Sequence, residues 1–270
     1  MVENEFHQMF NEYYYAHDCG IPYERNETWM SFFGKIAERI IAEINPKTVL
    51  DAGCAMGFLV VSLRTRGIET WGIDISEYAI NKVHQSIKPY CQVKSITQEL
   101  DQKYDLIISI EVVEHMQKLD AEDAIKNLCQ YSDQILFSST PFDYKENTHI
   151  NVQLPEYWAG LFALNGFFRD FNFDASFITP WAVLYKKRTY QIGELVREYE
   201  SKYFQLWKEN VDLRQVNIDQ QKEMALSFEE LSEAENQIFV YSNNFTIKIP
   251  RIFKKIKRML GLQISKNEPN

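Results

Sequence analysis

One run constrains this chain more than any other: Thr48-Val49-Leu50-Asp51-Ala52-Gly53-Cys54-Ala55-Met56-Gly57-Phe58, an apolar stretch that breaks at two glycines and opens into a helical pattern. A strand that turns through glycine into a helix belongs at the edge of a ligand crevice in an open sheet, where the turn leaves bare backbone facing the ligand. The chain around it keeps the same alternation. Short apolar runs at 48–50, 70–73, 92–93, 106–110 and 135–137 read as strands, with helical patterns at 58–66, 77–87 and 121–131 between them. This spacing predicts an α/β fold: a doubly wound, mostly parallel sheet covered on both faces.

The flanks are read the same way. Over 28–44, Trp29, Phe32, Phe33, Ile36, Ile40, Ile41 and Ile44 recur at three and four, so an amphipathic helix is expected, with Thr28 as N-cap and Asn45-Pro46 as its stop. Residues 154–164 look helical, and 167–173 and 182–187 are strand candidates close enough to pair antiparallel. The expected division is a Tyr-rich arm or lid over 1–27, a catalytic domain over 28–188, a long helical or coiled-coil extension over 189–244 and a basic tail over 245–270. Cys19, Cys54, Cys91 and Cys129 have no C-x-x-C spacing, which points to reduced thiols. Without a charged and apolar leader or an 18-residue apolar run, the expectation is a cytoplasmic protein that does not cross a membrane.

The chemistry starts at Asp51. Dinucleotide sites use G-x-G-x-x-G, but Asp51 stands where the first glycine would be, and a carboxylate there repels pyrophosphate while suiting an ammonium group. Twenty-one residues beyond Gly53, Asp74 ends Trp71-Gly72-Ile73-Asp74-Ile75, the position from which an acidic side chain accepts hydrogen bonds from a ribose diol. A ligand with an adenosine end and a cationic amino-acid end fits both.

The run from Val49 to Gly57, Gly72-Ile73-Asp74, and Tyr104-Asp105-Leu106-Ile107 through His115 resemble class I S-adenosylmethionine-dependent methyltransferases. That resemblance implies a Rossmann-like sheet of seven strands with S-adenosyl-L-methionine lying across their carboxyl ends. It implies cofactor contacts from Asp51, Ala52, Gly53, Cys54, Gly57, Phe58, Asp74, Ile75, Ser95, Ile96 and Glu111, with Ser95 at a place the family often fills with an acid. Glu111-Val112-Val113-Glu114-His115 looks like the E-x-x-E-H of quinone and small-RNA 3′-end O-methyltransferases, in which it implies a divalent metal. By that likeness Glu111, Glu114, His115 and the distant His149 hold Mg²⁺ or Mn²⁺. Without metal, His115, His149 and Glu114 are the catalytic candidates, a histidine acting as general base toward a hydroxyl. Asn147, Thr148 and Asn151 depart from the RNA enzymes, which carry histidine and basic residues there.

The arm from Tyr14-Tyr15 through Asp18-Cys19-Gly20 and Pro22-Tyr23-Glu24-Arg25-Asn26 resembles methyltransferases of bacterial surface-polysaccharide assembly. That likeness ranks a sugar hydroxyl of a glycan or nucleotide sugar first, a quinone-like metabolite second and RNA third. A degenerate domain serving as an interaction scaffold is the alternative of another class. The net charge of −9 argues against nucleic acid as a partner.

Over 191–240 the chain has no proline and 11 acidic against 5 basic residues. Tyr199, Leu206 and Leu213 are seven apart, as are Met224, Leu231 and Ile238, with an eleven-residue step between the two series that is expected to relax a heptad supercoil. Self-association and packing on the parent domain are both open readings of that seam. In 245–270, seven basic residues against Glu268 leave a net +6, and Ile249, Phe253, Ile256 and Leu260 fall on one helical face. Such a tail suits the inner face of an anionic membrane, or a protein partner.

Overall fold

The computed structural model describes residues 9–244, so the tail over 245–270 and the first eight residues of the arm lie outside the described residues. The chain divides into two compact units between Glu198 and Tyr199. In the first, two helices, α1 (Glu12–His17) and α2 (Glu27–Glu43), precede β1 (Thr48–Ala52), α3 (Phe58–Arg64), β2 (Glu69–Asp74), α4 (Glu77–Lys82) and β3 (Cys91–Val93). Then come β4 (Leu106–Ile110), α5 (Lys118–Tyr131), β5 (Gln134–Ser138), α6 (Pro155–Leu164), β6 (Phe167–Arg169) and β7 (Val183–Lys187).

The seven strands form one sheet in the order β3-β2-β1-β4-β5-β7-β6. β1 to β5 run parallel, and β7 pairs antiparallel with both β5 and β6. The order reverses at β1, so the crevice above β1 and β4 is the topological switch point where ligands of open α/β sheets bind. The β1 to β5 core is apolar on both sides because helices cover both faces. Leu128, Trp158 and Phe162 of α5 and α6 pack on one face, and Ile36, Ile40, Leu59 and Leu63 of α2 and α3 on the other. Each such side chain contributes about 1.5 to 3 kcal/mol by leaving water.

Three boundaries differ from the sequence expectation. Asn26, not Thr28, caps α2: its side-chain oxygen accepts the Trp29 N–H at 3.0 Å, and Thr28 lies inside the helix. The helix expected over 77–87 stops at Lys82, where Val83 turns extended and a 3₁₀ segment, Gln85–Tyr90, carries Pro89. Val83 and Ile87 keep helical spacing because both are buried beside Val60 and Cys91, not because one helix joins them. β6 ends at Arg169 because Asp170 turns the chain, its carboxylate accepting the Asn172 N–H.

The helix that crosses into the second unit, α7 (Ile192–Asn244), runs unbroken for 53 residues. It is the long helical extension expected from the sequence, as one helix. A step of eleven is one d-to-a step of four plus one heptad, so Leu213 and Met224 belong to a single frame in which Tyr203, Met224, Leu231 and Ile238 share one column and Tyr199, Leu206, Leu213 and Tyr241 the other. Two columns carry apolar residues, and those eight are all exposed. No helix among the described residues is long and apolar enough to cross a membrane.

Candidate active site

A cavity of about 1100 Å³ opens at the carboxyl ends of β1, β2, β3 and β4. Its floor is the glycine turn. Gly53 and Cys54 both donate their N–H to Ile73 O, at 2.8 and 3.0 Å, which ties the turn to β2. That approach needs Gly72, since a Cβ there would stand 2.7 Å from Cys54 Sγ. Gly53 has φ +93°, and a Cβ on it would meet Val112 Cγ2 at 2.3 Å. The space forbidden to a side chain at Gly53 is therefore filled by Val112 and not by the cavity.

The carboxylates at the strand ends face this cavity. Asp74 accepts the Ala55 N–H on Oδ2 and the Ser76 N–H on Oδ1, both at 2.8 Å, so it braces the turn as well as lining the site. Ala55, which carries one of those amides, holds φ +47°, a conformation costly for a residue with a side chain. Asp51 is 5% exposed, and burial followed by the nearby Asp74 charge pushes its carboxyl up to about 8. A buried, uncompensated carboxyl group is one that a cationic ligand would restore to its charged form. Ile75, Ser95 and Ile96 line the cavity too, the Ile96 carbonyl held by Asn127 Nδ2 at 2.8 Å.

Ala52, Gly57 and Phe58, expected as cofactor contacts, are not among the lining residues. Ala52 is fully buried in the sheet; Gly57 (φ +70°) opens α3, and its missing Cβ makes room for Ile87. Phe58 stacks on Tyr23 at 4.8 Å between ring centres. The motif spacing is a property of the turn, and only half of its residues reach the ligand side.

The arm forms a wall. Phe10 O accepts the Ser76 hydroxyl at 2.5 Å, Tyr23 N–H donates to Tyr15 O at 2.7 Å, and Trp29 Nε1 donates to Pro22 O at 2.9 Å. Phe10, Tyr14, Tyr15, Tyr23, Trp29 and Phe33 line the cavity from this side. Phe10 and Tyr14 stand edge-on to the His115 ring, at 5.4 and 6.2 Å.

The E-x-x-E-H segment is not an α-helical turn that would put Glu111, Glu114 and His115 on one face. Glu111 has φ +52°, its N–H donates to Ser138 O and its Oε1 accepts Trp181 Nε1 at 2.9 Å, while Val113–His115 is a single 3₁₀ turn. Glu114 is completely buried, outside the cavity lining, and its Oε2 has no hydrogen-bond partner. Burial and then the neighbouring Glu111 carboxylate hold Glu114 well above the usual carboxylate range. Ligand atoms of Glu114, His115 and His149 lie within 4.8 Å of one another, as do those of Asp143, Glu146 and His149. Glu111 belongs to neither group.

His149 has both nitrogens engaged, Nδ1 with Asp143 O and Nε2 with Glu146 Oε2, each at 2.9 Å. Burial alone would lower His149, but the Glu146 bond and the Asp143 carbonyl outweigh it and raise its pKa. His115 goes the other way: burial, then the charge of His149, lower it to about 4. For a metal between Glu114, His115 and His149, His149 would have to release Glu146, and Glu114, held well above the usual carboxylate range, would have to ionise and reach the cavity, so that set does not fit a divalent ion.

Sequence reasoning missed Asp143 and Glu146, which line the site, and took Thr148 only as a departure from a pattern. A carboxylate three residues before His149 was the available signal. Asp18, Asp51, Asp74, Glu111, Asp120, Asp143 and Glu146 put seven carboxyl groups on the lining against one ammonium, Lys94, itself paired with Asp101 at 2.7 Å.

Residues 22–169 match the family described as "Methyltransferase domain". The chain is 32% identical over 87 residues to a ubiquinone biosynthesis O-methyltransferase of Nitrosomonas europaea, covering 29% of this chain and 37% of that protein. It is 33% identical over 98 residues to a magnesium-protoporphyrin O-methyltransferase of Synechocystis, covering 34% and 43%. The aligned segments thus span less than half of either relative. The solved magnesium protoporphyrin IX methyltransferase of Synechocystis with bound SAH superposes with a TM-score of 0.52 at 18% identity, covering 67% of this chain and 99% of that one, a likeness of fold.

Proposed function

Because this chain belongs to the methyltransferase-domain family, we propose that it is an S-adenosylmethionine-dependent O-methyltransferase whose acceptor is the hydroxyl of a small, neutral ring compound. The observation that carries the reading is the placement of Asp51 and Asp74 at adjacent strand ends on one cavity with His115. The cofactor, when bound, supplies an electrophilic methyl group. Asp51 is suited to its cationic end, Asp74 to its ribose and the 95–96 segment to its base, while Gly53 to Ala55 offer bare backbone.

His115 is the candidate for taking the acceptor's proton. It is held neutral by burial, as a general base must be. Most of the remaining rate enhancement in a displacement of this kind comes from alignment, on the order of 7 to 11 kcal/mol. The arm's aromatic wall provides a surface for alignment and for excluding water. His149 and Glu114 are supports in this reading, one as an ion-pair partner and one as a buried brace.

The lining also orders the acceptors. A nucleotide sugar brings a pyrophosphate toward seven carboxyl groups and one occupied ammonium, and RNA brings many phosphates, so both are disfavoured. An aromatic hydroxyl on a quinone-like ring meets Trp29, Phe32, Phe33 and Ile178 instead. Glycan hydroxyls, ranked first from the arm's resemblance, stand second. A scaffold without catalysis is disfavoured by the intact Asp51, Gly53 and Asp74.

Two further proposals concern the C-terminal part. The apolar columns of α7 are suited to self-association, and the tail over 245–270 to anionic lipid at the inner membrane face. Mass spectrometry of the purified protein for bound S-adenosylmethionine or its demethylated product, followed by methyl transfer to catechols against nucleotide sugars, tests the main reading. Undetectable cofactor binding by calorimetry would end it.

A further inference from the structure

Glu146 and Thr148 connect to His115 in a way that settles where its proton sits. Carboxylate oxygens only accept, so in the contact between Thr148 Oγ1 and Glu146 Oε1 the hydroxyl is the donor. With its single proton spent there, Thr148 Oγ1 can only accept in its other contact, with His115 Nδ1 at 2.9 Å. A neutral imidazole making that bond must carry its proton on Nδ1, which leaves the Nε2 lone pair free. Among the described residues Nε2 makes no hydrogen bond, and His115 lines the cavity.

We propose that Thr148 and Glu146 are positioning residues that lock His115 in the Nδ1–H tautomer and so present its Nε2 as the proton acceptor of the site. The Glu146 carboxylate is fixed in turn by His149, whose Nε2 donates to the other oxygen at 2.9 Å while its Nδ1 donates to Asp143 O. The two histidines thus divide the work: His149 is the anchored cation and His115 the free lone pair. Thr148 is 7% exposed, so water does not readily replace its hydroxyl. The Thr148 to His149 segment is held against the 3₁₀ turn by the Asn151 N–H to Glu114 O bond at 2.9 Å and by Asn151 Nδ2 to Val113 O. The residues that break the RNA-enzyme pattern, Thr148 and Asn151, are the ones that orient this imidazole.

The role in catalysis rests on the proposed methyltransferase reading; the tautomer does not, so the test reads them separately. Long-range ¹H–¹⁵N correlation spectra of the full chain resolve the tautomer of each of its five histidines, with His115→Gln assigning the resonance. Wild type should show Nδ1–H at His115. Thr148→Val, close in shape but without the hydroxyl, should move the population toward Nε2–H, Thr148→Ser should restore it, and Glu146→Gln should blur it. With a working acceptor, Thr148→Val should lower kcat about tenfold with KM and cofactor affinity unchanged, and Thr148→Ser should recover most of that loss. An Nε2–H resonance in wild type, or a Thr148→Val spectrum like wild type, overturns the lock. A shifted tautomer with full kcat overturns the positioning role. Absence of methyl transfer to every hydroxyl tested defeats the functional reading and leaves the spectral result to decide the lock.

Discussion

Asp51 should make cofactor binding depend on pH. Its carboxyl sits at about 8 because burial and the Asp74 charge disfavour the ion, so at pH 7 about nine in ten molecules of the free protein hold the proton. A ligand that places a cation beside Asp51 binds the ionised form, and ligand binding must then expel that proton. The apparent dissociation constant for S-adenosylmethionine should therefore weaken as pH falls below 8, approaching about tenfold per pH unit and about 50-fold between pH 8 and pH 6. Titration calorimetry in two buffers of different ionisation enthalpy should register about 0.9 proton released per cofactor at pH 7. Asp51→Asn should bind more weakly at pH 8 but lose the steep slope between pH 8 and pH 6. The same shift has a stability side. The folded pKa lies above the unfolded value near 4, so the protonated group favours folding at low pH and that advantage is lost as pH rises through 8. Asp51→Asn without cofactor should thus gain in Tm relative to wild type at pH 8 and above. A wild-type affinity flat from pH 6 to 8, or an Asn variant with an undiminished slope, would show that Asp51 does not meet the cation.

Other outcomes follow from single contacts. Gly53→Ala should lower Tm by several degrees, since φ +93° and a 2.3 Å approach to Val112 Cγ2 strain the turn, and adding Val112→Ala should return part of the loss. Turnover should persist in excess chelator, because His149 and Glu111 are already engaged by Glu146 and Trp181; loss of activity restored by Mg²⁺ or Mn²⁺ would reinstate a metal. Deleting residues 191–270 should leave cofactor affinity unchanged and reduce the number of chains per particle in sedimentation, whereas a monomer both before and after would remove self-association. Flotation of the full chain with anionic vesicles at low salt should vanish when residues 245–270 are deleted; persistence after deletion would clear the tail of a role.

The β–α alternation, the glycine turn and the acidic strand ends were legible because local chain geometry alone imposes them. A strand has period two or is wholly apolar, a helix has period 3.6, and a left-handed turn demands glycine, so Val49 to Gly57 announces its shape whatever surrounds it. The sheet's order β3-β2-β1-β4-β5-β7-β6 came only with the structure, since no periodicity says which strand lies beside which. Long-range contacts decided the rest. Whether Val83 and Ile87 belong to one helix depended on their shared burial beside Val60, and whether Gly57 touches ligand depended on Ile87 standing beneath it. The E-x-x-E-H run named the right neighbourhood but the wrong geometry. Trp181 draws Glu111 aside from a position seventy residues away, and Glu114 turns into the protein interior. His115 gets its proton's place from Thr148, thirty-three residues on, and its neutrality from burial. Charge state and tautomer are set by desolvation and by the partners that folding brings within about 3 Å. A sequence lists the groups that can do chemistry at a site; the packed structure assigns which of them are free to do it.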